Sequence, residues 1–584
     1  MKKILRCFIA GLVGAISILP MFGCQQPSAA NDGEQIDKNR TQLFVYNFNA
    51  GYGSDWLMKL KDSYEKLHAN DVYETGKRGV QILINNDKTG ISALEPQILD
   101  GEDEIYFTEY VSNYYSLINS GIIADITEAV TGDMSAYGDD AGVTIESKLT
   151  AEQKEYLGIQ KGSATHYYGI PHYAGYSGLT YNVELFKANN YYYLDGHPEV
   201  PAVEDFDTFE STLGVNISDY FVLTETEKKS AGPNGTYGDY DDGLPATYAE
   251  FYFLCERISR DSGVVPVLWN GKNNADYLGA LMHALVSDYE GLEQMMLHYN
   301  FDGTATDLGT VVNGEFVEDA TDTVITSQNG YELSRQAGKY HALKFLETIL
   351  SNKDYWYSTQ EKAFNTAYTH LNAQRDFING GIDGKVKSMA MLVDGCWWQA
   401  EASQAFSNMV SSKGEQYAPE NRDFAFMPLP KATSEKVNGT NILNDHIYSM
   451  CFMKANVAEW KKPLALDFIK YCNSDRSLEE FTTTTNAVKA LNYTLEEDTL
   501  QQLTPYGRSL VNLKNDSTVI YPYSSDSFFL NKQSNFTMFQ LYKSNVSAGY
   551  QEQYYATAKR NYKTTAEDYF SGLYKYWSAS WNLL

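Results

Sequence analysis

Residues Tyr168–Asn182 read YGIPHYAGYSGLTYN. A short apolar strand with a Gly-x-Pro sequence opens this stretch, and a patch of polar and aromatic residues follows it. Tyr181 and Asn182 then stand directly before a predicted helix that carries Leu185 and Phe186. The order of strand, aromatic patch, Tyr-Asn and helix is the most specific pattern in the sequence.

Strand-like and helical runs alternate on the amino-terminal side of this stretch. Thr41–Tyr46, Val80–Ile84 and Glu104–Phe107 are short apolar runs, which predict strands. Apolar residues recur at helical spacing between the first two runs: Trp56, Leu57, Leu60, Tyr64 and Leu67. Strands that alternate with helices predict parallel sheets covered on both faces.

Tyr168–Asn182 resembles the segment of family 1 extracellular solute-binding proteins that crosses between their two lobes. Further segments resemble that family in the same chain order: Ile105–Glu109, Thr247–Arg257, Val265–Trp269, Met389–Trp398, and Asp445–Met453 with the helix that ends at Cys472. The resemblance covers about residues 41–584. It implies an α/β fold of two lobes, like maltose-binding protein, each lobe a mostly parallel sheet flanked by helices and joined to the other by crossing hinge strands.

The resemblance also implies that the chain crosses between the lobes more than once. We expect residues 41–173 and 448–503 to form the first lobe. Residues 174–447 and 504–584 should form the second.

The amino terminus has the pattern of a bacterial lipoprotein signal. A basic start precedes the apolar run Cys7–Leu19, which has the length of a secretory signal core. Gly23-Cys24 at its end resembles a lipobox, in which the cysteine receives a diacylglycerol. We therefore expect a signal peptide over 1–23 and a lipid-anchored tether over 24–40; the alternative is an ordinary cleaved signal with Cys24 incidental. We therefore expect an extracellular protein that acyl chains hold at the cell membrane.

Charge and cysteine content limit the partners. With 46 basic and 75 acidic residues, the formal net charge is −29, which disfavours nucleic acid and anionic lipid. Apart from Cys7 and Cys24, the sequence has Cys255, Cys396, Cys451 and Cys472, without zinc spacing. We expect buried free thiols, although a Cys451–Cys472 bridge stays open.

Sequence signatures of catalysis are scarce. No Gly-Lys pair is followed by Ser or Thr, so a P-loop is absent, and there is no His-Glu-x-x-His. Paired glycosidase carboxylates have no sequence signature, so that activity stays open. We expect a binding protein and not an enzyme, and no required cofactor.

Aromatic side chains at predicted strand ends suit a sugar ligand, because sugars present apolar faces and rims of hydroxyl groups. Trp397 and Trp398 follow one strand, and Trp269 and Asn270 follow another. Neighbouring residues on a strand point to opposite faces, so only one of the two adjacent tryptophans needs to face the ligand. The family pattern favours Trp397; core packing is the alternative for all three rings.

The first lobe and the hinge supply the other expected ligand contacts. The resemblance implies these positions: Asn47, Asn49, Tyr52, Glu109, Tyr173, Tyr176, Asp445 and Phe528. A carboxylate such as Glu109 can accept two sugar hydroxyl groups. The alternatives are a solvated surface group for Glu109 and a hinge role for Tyr173 and Tyr176.

An oxygen-rich loop is a candidate calcium site. Asn234, Thr236, Asp239 and Asp241 alternate within GPNGTYGDYDDG, and Ca²⁺ prefers six to eight oxygen ligands on a flexible loop. The closing Glu of an EF-hand is missing. An acidic turn is the alternative, so a structural Ca²⁺ stays an expectation.

The resemblance implies a monomeric receptor that closes on a carbohydrate, expected to be an oligosaccharide, and delivers it to the transmembrane subunits of an ABC importer. Three alternatives stay open: a receptor for a peptide, polyamine or other small solute, a secreted glycoside-active enzyme, and a surface adhesion protein. The sequence does not identify the sugar.

Overall fold

The computed structural model describes residues 34–49, 51–437, 439–532 and 565–583. Their strands are β1 Thr41–Phe48, β2 Val80–Asp87, β3 Ile105–Thr108, β4 Gly158–Lys161, β5 Ala164–Tyr167, β6 Ile170–Pro171, β7 Ser177–Asn182, β8 Val264–Leu268, β9 Gly303–Ala305, β10 Gly309–Val312, β11 Glu315–Glu318, β12 Thr323–Ile325, β13 Ser388–Gly395, β14 Phe424–Met427, β15 Asn441–Asn444, β16 Met450–Met453 and β17 Ser517–Ile520. Their α-helices are α1 Asp55–Leu67, α2 Ile91–Leu94, α3 Tyr114–Asn119, α4 Thr127–Thr131, α5 Ala151–Leu157, α6 Val183–Asn189, α7 Phe209–Leu213, α8 Tyr248–Ser259, α9 Asn274–Asn300, α10 Ala337–Ser351, α11 His370–Asn379, α12 Trp398–Glu401, α13 Ser403–Lys413, α14 Lys462–Tyr471, α15 Asp475–Thr485, α16 Glu497–Leu500, α17 Pro505–Asn515, α18 Ser527–Lys532 and α19 Ala566–Ser580.

The sheet of the first lobe has the strand order β2-β1-β3-β16-β6. The three amino-terminal strands are parallel, as the alternation of strands and helices predicted. β16 begins at Met450, more than three hundred residues after the end of β3, and runs antiparallel to both of its neighbours. The apolar run of α1 packs beneath this sheet, with Trp56, Leu57, Leu60 and Tyr64 buried.

The sheet of the second lobe has the order β14-β7-β13-β8. β8 and β13 are parallel, whereas β7 runs antiparallel to β13 and to β14. The prediction of two α/β lobes is confirmed, but the expected mostly parallel pairing is wrong for this sheet. β7 lies more than two hundred residues before both partners, so no local strand–helix–strand crossover fixes its direction.

The helix cap that the sequence predicted at Thr247 is present in the second lobe. The Thr247 side chain accepts a hydrogen bond from the Glu250 backbone N–H and begins α8. Phe251, Leu254 and Ile258 of that helix are buried in the main hydrophobic core. A separate core cluster of this lobe surrounds Trp398.

The crossings between the lobes pack against one another. The chain crosses at 172–176, between β6 and β7, and again at 445–449, between β15 and β16. A Cβ atom on Gly175 would lie 2.0 Å from the Ile447 side chain, so only glycine permits this approach. The predicted lobe boundaries at 173 and 448 fall in these crossings. Val488, Ala490, Leu495 and Leu503, which the prediction assigned to the first lobe, pack in the cluster around Trp398.

The structure describes only part of the amino-terminal segment for which the signal peptide and tether were predicted. Residues 1–23 and Cys24 lie outside the described residues, as does most of the predicted tether. Glu34 forms an ion pair with Lys61, and the Asp37 N–H donates to Gln81 Oε1 at 2.8 Å. Glu34 and Asp37, which the prediction placed in the tether, therefore contact the first lobe. Among the described helices, none is long and apolar enough to cross a membrane.

The remaining cysteines are buried free thiols: Cys255, Cys396, Cys451 and Cys472. The open alternative of a Cys451–Cys472 bridge is therefore wrong.

Candidate functional site

The two lobes touch where the turn after β1 meets the turn after β13. A Cβ atom on Gly51 would lie 3.5 Å from the Trp397 Cβ atom. The Tyr52 hydroxyl lies 3.3 Å from the Cys396 sulfur. Gly51 and Tyr52 follow a first-lobe strand, whereas Cys396 and Trp397 follow a second-lobe strand. These contacts therefore cross the cleft between the lobes.

The two adjacent tryptophans have different surroundings. β13 ends at Gly395, and Trp397 is the amino-terminal cap residue of α12. The two tryptophans therefore follow the strand, as predicted, but they begin a helix, so the strand rule of opposite faces does not apply to them. Trp397 is half-buried and packs against core side chains of both lobes. Trp398 is fully buried among four aromatic rings: Phe377, Phe406, Phe424 and Tyr506. Of the two tryptophans, Trp397 is the one that is partly exposed, and it lies beside Gly51 of the facing lobe.

Glu109 directly follows β3, on the first-lobe side of the cleft. The residue is 9% exposed, and its side chain makes no hydrogen bond or ion pair with any described residue. Burial, with a smaller contribution from the Glu401 carboxylate, raises the pKa of Glu109 to about 8. At neutral pH this carboxyl group holds a proton, so it can donate a hydrogen bond as well as accept one.

Glu401 lies on the opposite lobe, one helical turn after Trp397, and its N–H donates to the Trp397 carbonyl at 3.0 Å. The Gln374 amide donates to Glu401 Oε2 at 2.7 Å, and His370 Nε2 lies 3.4 Å from Oε1. Burial alone would raise the pKa of Glu401, but these partners hold it below its ordinary value. Gln374 also donates to Asp394 Oδ2 at 3.1 Å.

Two tyrosines lie beside these carboxyl groups, one from each lobe. Tyr110 is 53% exposed and has the left-handed φ of 58° that is costly for a residue with a side chain. Its N–H donates to the Ile447 carbonyl at 3.0 Å. Burial, followed by the charges of Asp394 and Glu401, raises the pKa of Tyr277, and Tyr110 adds to this shift. The cleft therefore combines aromatic rings with acidic groups.

His446 packs against the Trp397 ring. Its Nε2 atom is 2.7 Å from the Ser177 hydroxyl, and its ring meets the Trp397 ring edge-on, with centroids 6.2 Å apart. The neighbouring Asp445 is buried and accepts a hydrogen bond from the Gly175 N–H at 3.0 Å. Burial raises the pKa of Asp445 to about 7. The Asp445 carboxyl group, a predicted ligand contact, therefore binds the backbone of the hinge.

A small pocket opens on the first-lobe side of the hinge. It is lined by Asn47, Phe48, Tyr52, Gly53, Trp56, Phe107, Thr108, His172 and Tyr173. The Tyr52 and Tyr173 rings meet edge to face, with centroids 4.7 Å apart. The pocket encloses almost no free space, whereas usual small-molecule sites enclose roughly 300–1,000 Å³, so it can form only part of an oligosaccharide site.

The remaining first-lobe and hinge positions are held by the protein itself. The Asn47 amide donates to Gly53 O at 3.3 Å and to Asn86 Oδ1 at 3.1 Å. Asn49 is half-buried, and its N–H donates to the Asp87 carbonyl at 2.7 Å. Tyr176 is 1% exposed, and its buried hydroxyl has no hydrogen-bond partner.

Three further predicted contacts are held by packing or hydrogen bonds within the second lobe. Trp269 is fully buried, and its indole N–H donates to the Ala363 carbonyl at 2.8 Å. Asn270 is 1% exposed, and its Oδ1 accepts from the Asn273 N–H at 2.7 Å, just before α9. Phe528 packs edge-on against Phe301, at 5.2 Å between centroids, in the second-lobe core. Burial and internal bonding leave no surface of Trp269 for a ligand.

The predicted calcium loop has most of its oxygen atoms engaged within the loop. Asn234 Oδ1 accepts from the Thr236 N–H at 2.7 Å, and Asp239 Oδ2 accepts from the Asn234 amide at 2.8 Å. Asp241 is fully buried, and its Oδ1 atom has no hydrogen-bond partner. Among the described residues, no group of three or more His, Cys, Asp or Glu could hold a metal ion. Any Ca²⁺ would therefore need the loop to rearrange and supply amide and carbonyl oxygens.

Solved structures share this architecture. A chitin oligosaccharide binding protein aligns over 93% of this chain and 100% of its own, with a TM-score of 0.51 and 13% identity. BlMnBP1, the binding protein of an ABC transporter from Bifidobacterium animalis subsp. lactis in complex with mannobiose, aligns over 93% and 95%, with a TM-score of 0.51 and 12% identity. The fold is that of the two-lobed solute-binding proteins.

A further solute-binding fold agrees with this result. The cyclic alpha-maltosyl-1,6-maltose binding protein from Arthrobacter globiformis aligns over 93% of this chain and 100% of its own, with a TM-score of 0.50 and 11% identity. No protein-family model matches the sequence, and no curated protein matches it.

Sequence reasoning missed five residues of the cleft: Tyr110, Ser177, Tyr277, Glu401 and His446. Glu401 had a usable signal, because it lies four residues after Trp397 and residues at that spacing share a helix face. Reading Trp397-Trp398 as the end of a strand hid this spacing. The other four come together only when the crossing segments pack.

Proposed function

We propose that the protein is an extracellular binding protein that captures an oligosaccharide between its lobes and delivers it to an ABC importer. One observation carries the proposal: the half-buried Trp397 ring lies at the cleft, with Glu109 on the facing lobe and Glu401 one turn away. An aromatic face suits the apolar side of a sugar ring, and carboxyl oxygens suit its hydroxyl groups. The solved sugar-binding proteins of the same fold support this ligand class.

Capture would proceed by hinge closure. A ligand that contacts Trp397 and Glu109 together touches both lobes only in the closed form, so it shifts the equilibrium toward closure. The Tyr52–Cys396 contact also crosses the cleft, and it adds a ligand-independent contribution to closure. An importer would then recognise the surface of the closed protein.

A glycan panel tests this function directly. An oligosaccharide present at about 100 times its dissociation constant stabilises the folded protein by about 2.7 kcal/mol, which a thermal-shift measurement detects. We expect at least one neutral or amino-substituted oligosaccharide to raise the melting temperature. Stabilisation by peptides or polyamines without any by glycans would replace the carbohydrate by another solute.

Glycoside cleavage is the second candidate, because one observation favours it. The pKa of Glu109 is raised and the pKa of Glu401 is lowered, and such a pair supplies an acid and a base for glycosidases. Prolonged incubation with the oligosaccharide that binds best, followed by product analysis, separates the two functions. Recovery of the intact ligand supports a receptor, and shortened products support an enzyme.

Membrane attachment through Cys24 belongs to the same proposal. Replacing Cys24 by Ala removes the acyl acceptor, so the mature protein should appear in the medium instead of the membrane fraction. The matched control is Cys255→Ala, which removes a buried thiol of the folded body. A Cys24→Ala variant that stays in the membrane fraction would remove the lipid anchor from the proposal.

A further inference from the structure

A buried lysine lies at the hinge beside a histidine, and no carboxylate balances its charge. Lys489 is fully buried, and His172 is 3% exposed. Their side chains meet directly, with 2.7 Å between Lys489 Nζ and His172 Nδ1. Among the described residues, Lys489 forms no ion pair with an acid. Buried lysines are ordinarily paired with an acid, so this pair has an unusual charge balance for a protein interior.

Aromatic rings take the place of the missing carboxylate. The Lys489 ammonium group lies over three rings, at these distances from their centroids: 4.5 Å from Phe481, 4.9 Å from Trp56 and 5.9 Å from Phe107. Aromatic faces attract one desolvated cation but carry no net negative charge. The rings therefore stabilise a single positive charge and cannot neutralise a second one.

The other titratable groups that face Lys489 are neutral. They are two thiols and one phenol: Cys451 on β16, Cys472 after α14, and Tyr493, whose hydroxyl accepts a hydrogen bond from the Lys489 backbone N–H. Burial raises the pKa of each of these groups, so none of them supplies an anion. The charge of the pair is therefore set by the protons that His172 and Lys489 hold.

The geometry of the pair accommodates one proton but not two. An ammonium group donates to His172 Nδ1 only while that nitrogen keeps its lone pair, so the imidazole is then neutral. A protonated imidazole would turn an N–H toward the ammonium group and place two positive charges within hydrogen-bond distance. Burial lowers the pKa of Lys489 to about 7, and burial together with Lys489 lowers the pKa of His172 well below 6.5.

His172 and Lys489 lie on two backbone segments that are hydrogen-bonded to each other at the hinge. The Ala174 N–H donates to the Val488 carbonyl at 3.0 Å, and the Ala490 N–H donates to the His172 carbonyl at 3.4 Å. Val488 and Ala490 pack in the cluster around the buried tryptophan of the second lobe. The Lys489 side chain between them contacts first-lobe rings instead. The pair therefore joins two segments at the boundary of the lobes.

The same pair supports a wall of the cleft pocket. His172 lines that pocket together with Trp56 and Phe107. The His172 ring lies 4.9 Å from each of their rings, measured between centroids, and both rings also contact Lys489. A displacement of His172 therefore changes the pocket and the hinge together.

We infer that His172 and Lys489 form a proton-sensitive lock of the hinge, which holds while the pair carries at most one proton and releases when acid adds a second. Release separates the two backbone segments and lets water reach both charges. The pocket wall moves with His172, so ligand capture weakens in acid. The inference rests on the proposed function and names the regulation of its site.

Hydrogen exchange at the hinge tests the lock without a ligand. Because only the released form binds the second proton, release becomes about tenfold more favourable for each pH unit below about 6.5, the ordinary pKa of histidine. After correction for the intrinsic effect of pH on exchange, protection of the Ala174 and Ala490 amides should fall at least about tenfold between about pH 7.5 and about pH 5. Unchanged protection overturns the inference.

Two variants prevent the second charge in different ways. Lys489→Met puts an apolar chain of similar length among the rings, and His172→Asn keeps an amide oxygen that can accept from Lys489 but does not titrate. In both variants, protection should change less than about threefold over the same pH range. The control is His166→Asn on β5, because the His166 side chain is 30% exposed and contacts Asp125; this variant should behave like the parent.

The variants also separate a hinge lock from a contribution to folding alone. A loss of protection that survives in both Lys489→Met and His172→Asn shows that other groups release the hinge, which overturns the inference. An acid-induced fall in melting temperature that the variants remove, without any change in protection at Ala174 and Ala490, overturns it as well. Melting curves at about pH 7.5 identify which variants are folded, and either folded variant decides the test.

Binding distinguishes failure of the inference from failure of the proposed function. The probes are tetra-N-acetylglucosamine and maltotetraose, which carry no charge that pH could change. The affinity of a probe that binds should fall at least about tenfold between about pH 7.5 and about pH 5 in the parent, and less than about threefold in the two variants. Equal affinity at both pH values overturns the inference and leaves the proposed function standing. Absence of binding by both probes, with the expected loss of protection, supports the lock and counts against the carbohydrate.

Discussion

The core of the second lobe and the wall of the cleft each contain buried acidic and tryptophan side chains, but these side chains differ in their partners and in their exposure. In the core, Asp288 is paired with Lys431 at 2.7 Å, and both side chains are at most 5% exposed. Trp398 is enclosed by other rings. At the cleft, Glu109 has no partner among the described residues and Trp397 keeps a half-exposed ring. The Asp288 carboxylate is therefore paired within its own lobe, whereas the Glu109 carboxyl group has no protein partner among the described residues.

The largest expected effect belongs to the core ion pair. Lys431→Met leaves the buried Asp288 carboxylate without its cation, which should lower the free energy of unfolding by about 3–5 kcal/mol. Chemical denaturation measures this loss. Lys187→Met, which breaks the exposed pair with Asp423, is the control and should cost no more than about 1 kcal/mol. Equal effects of the two variants would remove the contrast between buried and exposed pairs.

Trp398→Ala should destabilise folding by nearly as much. Deleting a fully buried tryptophan leaves a cavity, and such changes cost about 3–5 kcal/mol. The folded fraction should keep its affinity for ligand, because the ring lies away from the cleft. A lower melting temperature measures the loss of stability, and ligand titration below the melting transition measures the affinity.

Trp397→Ala should have the opposite result. Removing a central aromatic contact costs about 2 kcal/mol or more of binding energy, which weakens affinity on the order of thirtyfold. Melting of the unliganded protein should change less than in Trp398→Ala, because the ring is only half-buried. A Trp397→Ala variant that melts far earlier and binds normally would assign Trp397 to the core.

Glu109→Gln should change how stability depends on pH. Burial and Glu401 raise the pKa of Glu109 from 4.5 to about 8 in the folded protein, so the folded state holds a proton that the unfolded state releases between these values. Stability contributed by the neutral carboxyl is complete below about pH 4.5 and is lost as the pH rises to about 8. The Gln variant lacks this loss. Its stability relative to the parent should therefore increase across that window and level off above it; a constant difference would contradict the shift.

The smallest expected effect concerns the loop with Asp239 and Asp241. If it rearranges to bind Ca²⁺, calcium at about ten times its dissociation constant should stabilise folding by about 1.4 kcal/mol. Replacing both aspartates by Ala should abolish the dependence of the melting temperature on calcium. An unchanged melting temperature after chelation leaves the loop as an acidic turn.

Local patterns accounted for the elements of the fold and for the parallel pairs of the first lobe, but not for the pairing of β7. The apolar runs at Thr41–Tyr46 and Val80–Ile84 are strands, and Thr247 begins a helix as its capping pattern indicated. The antiparallel direction of β7 was missed, because its partners lie about two hundred residues away. Residue periodicity reports burial along one element and contains no information about which distant strand will pair with it.

The sequence by itself determined the two-lobed α/β class and the crossing at Tyr168–Asn182. It favoured Trp397 over Trp398 as the ligand contact, and that assignment stays a prediction. Tertiary structure alone decided that Trp269 and Phe528 belong to the core and that Glu401 and His446 join the cleft. The reason is physical: a strand end or a helix turn restricts where a side chain can point, but burial depends on what distant segments cover it. Glu109 was expected in the cleft from its place after β3, and only the packed lobes left it without a partner.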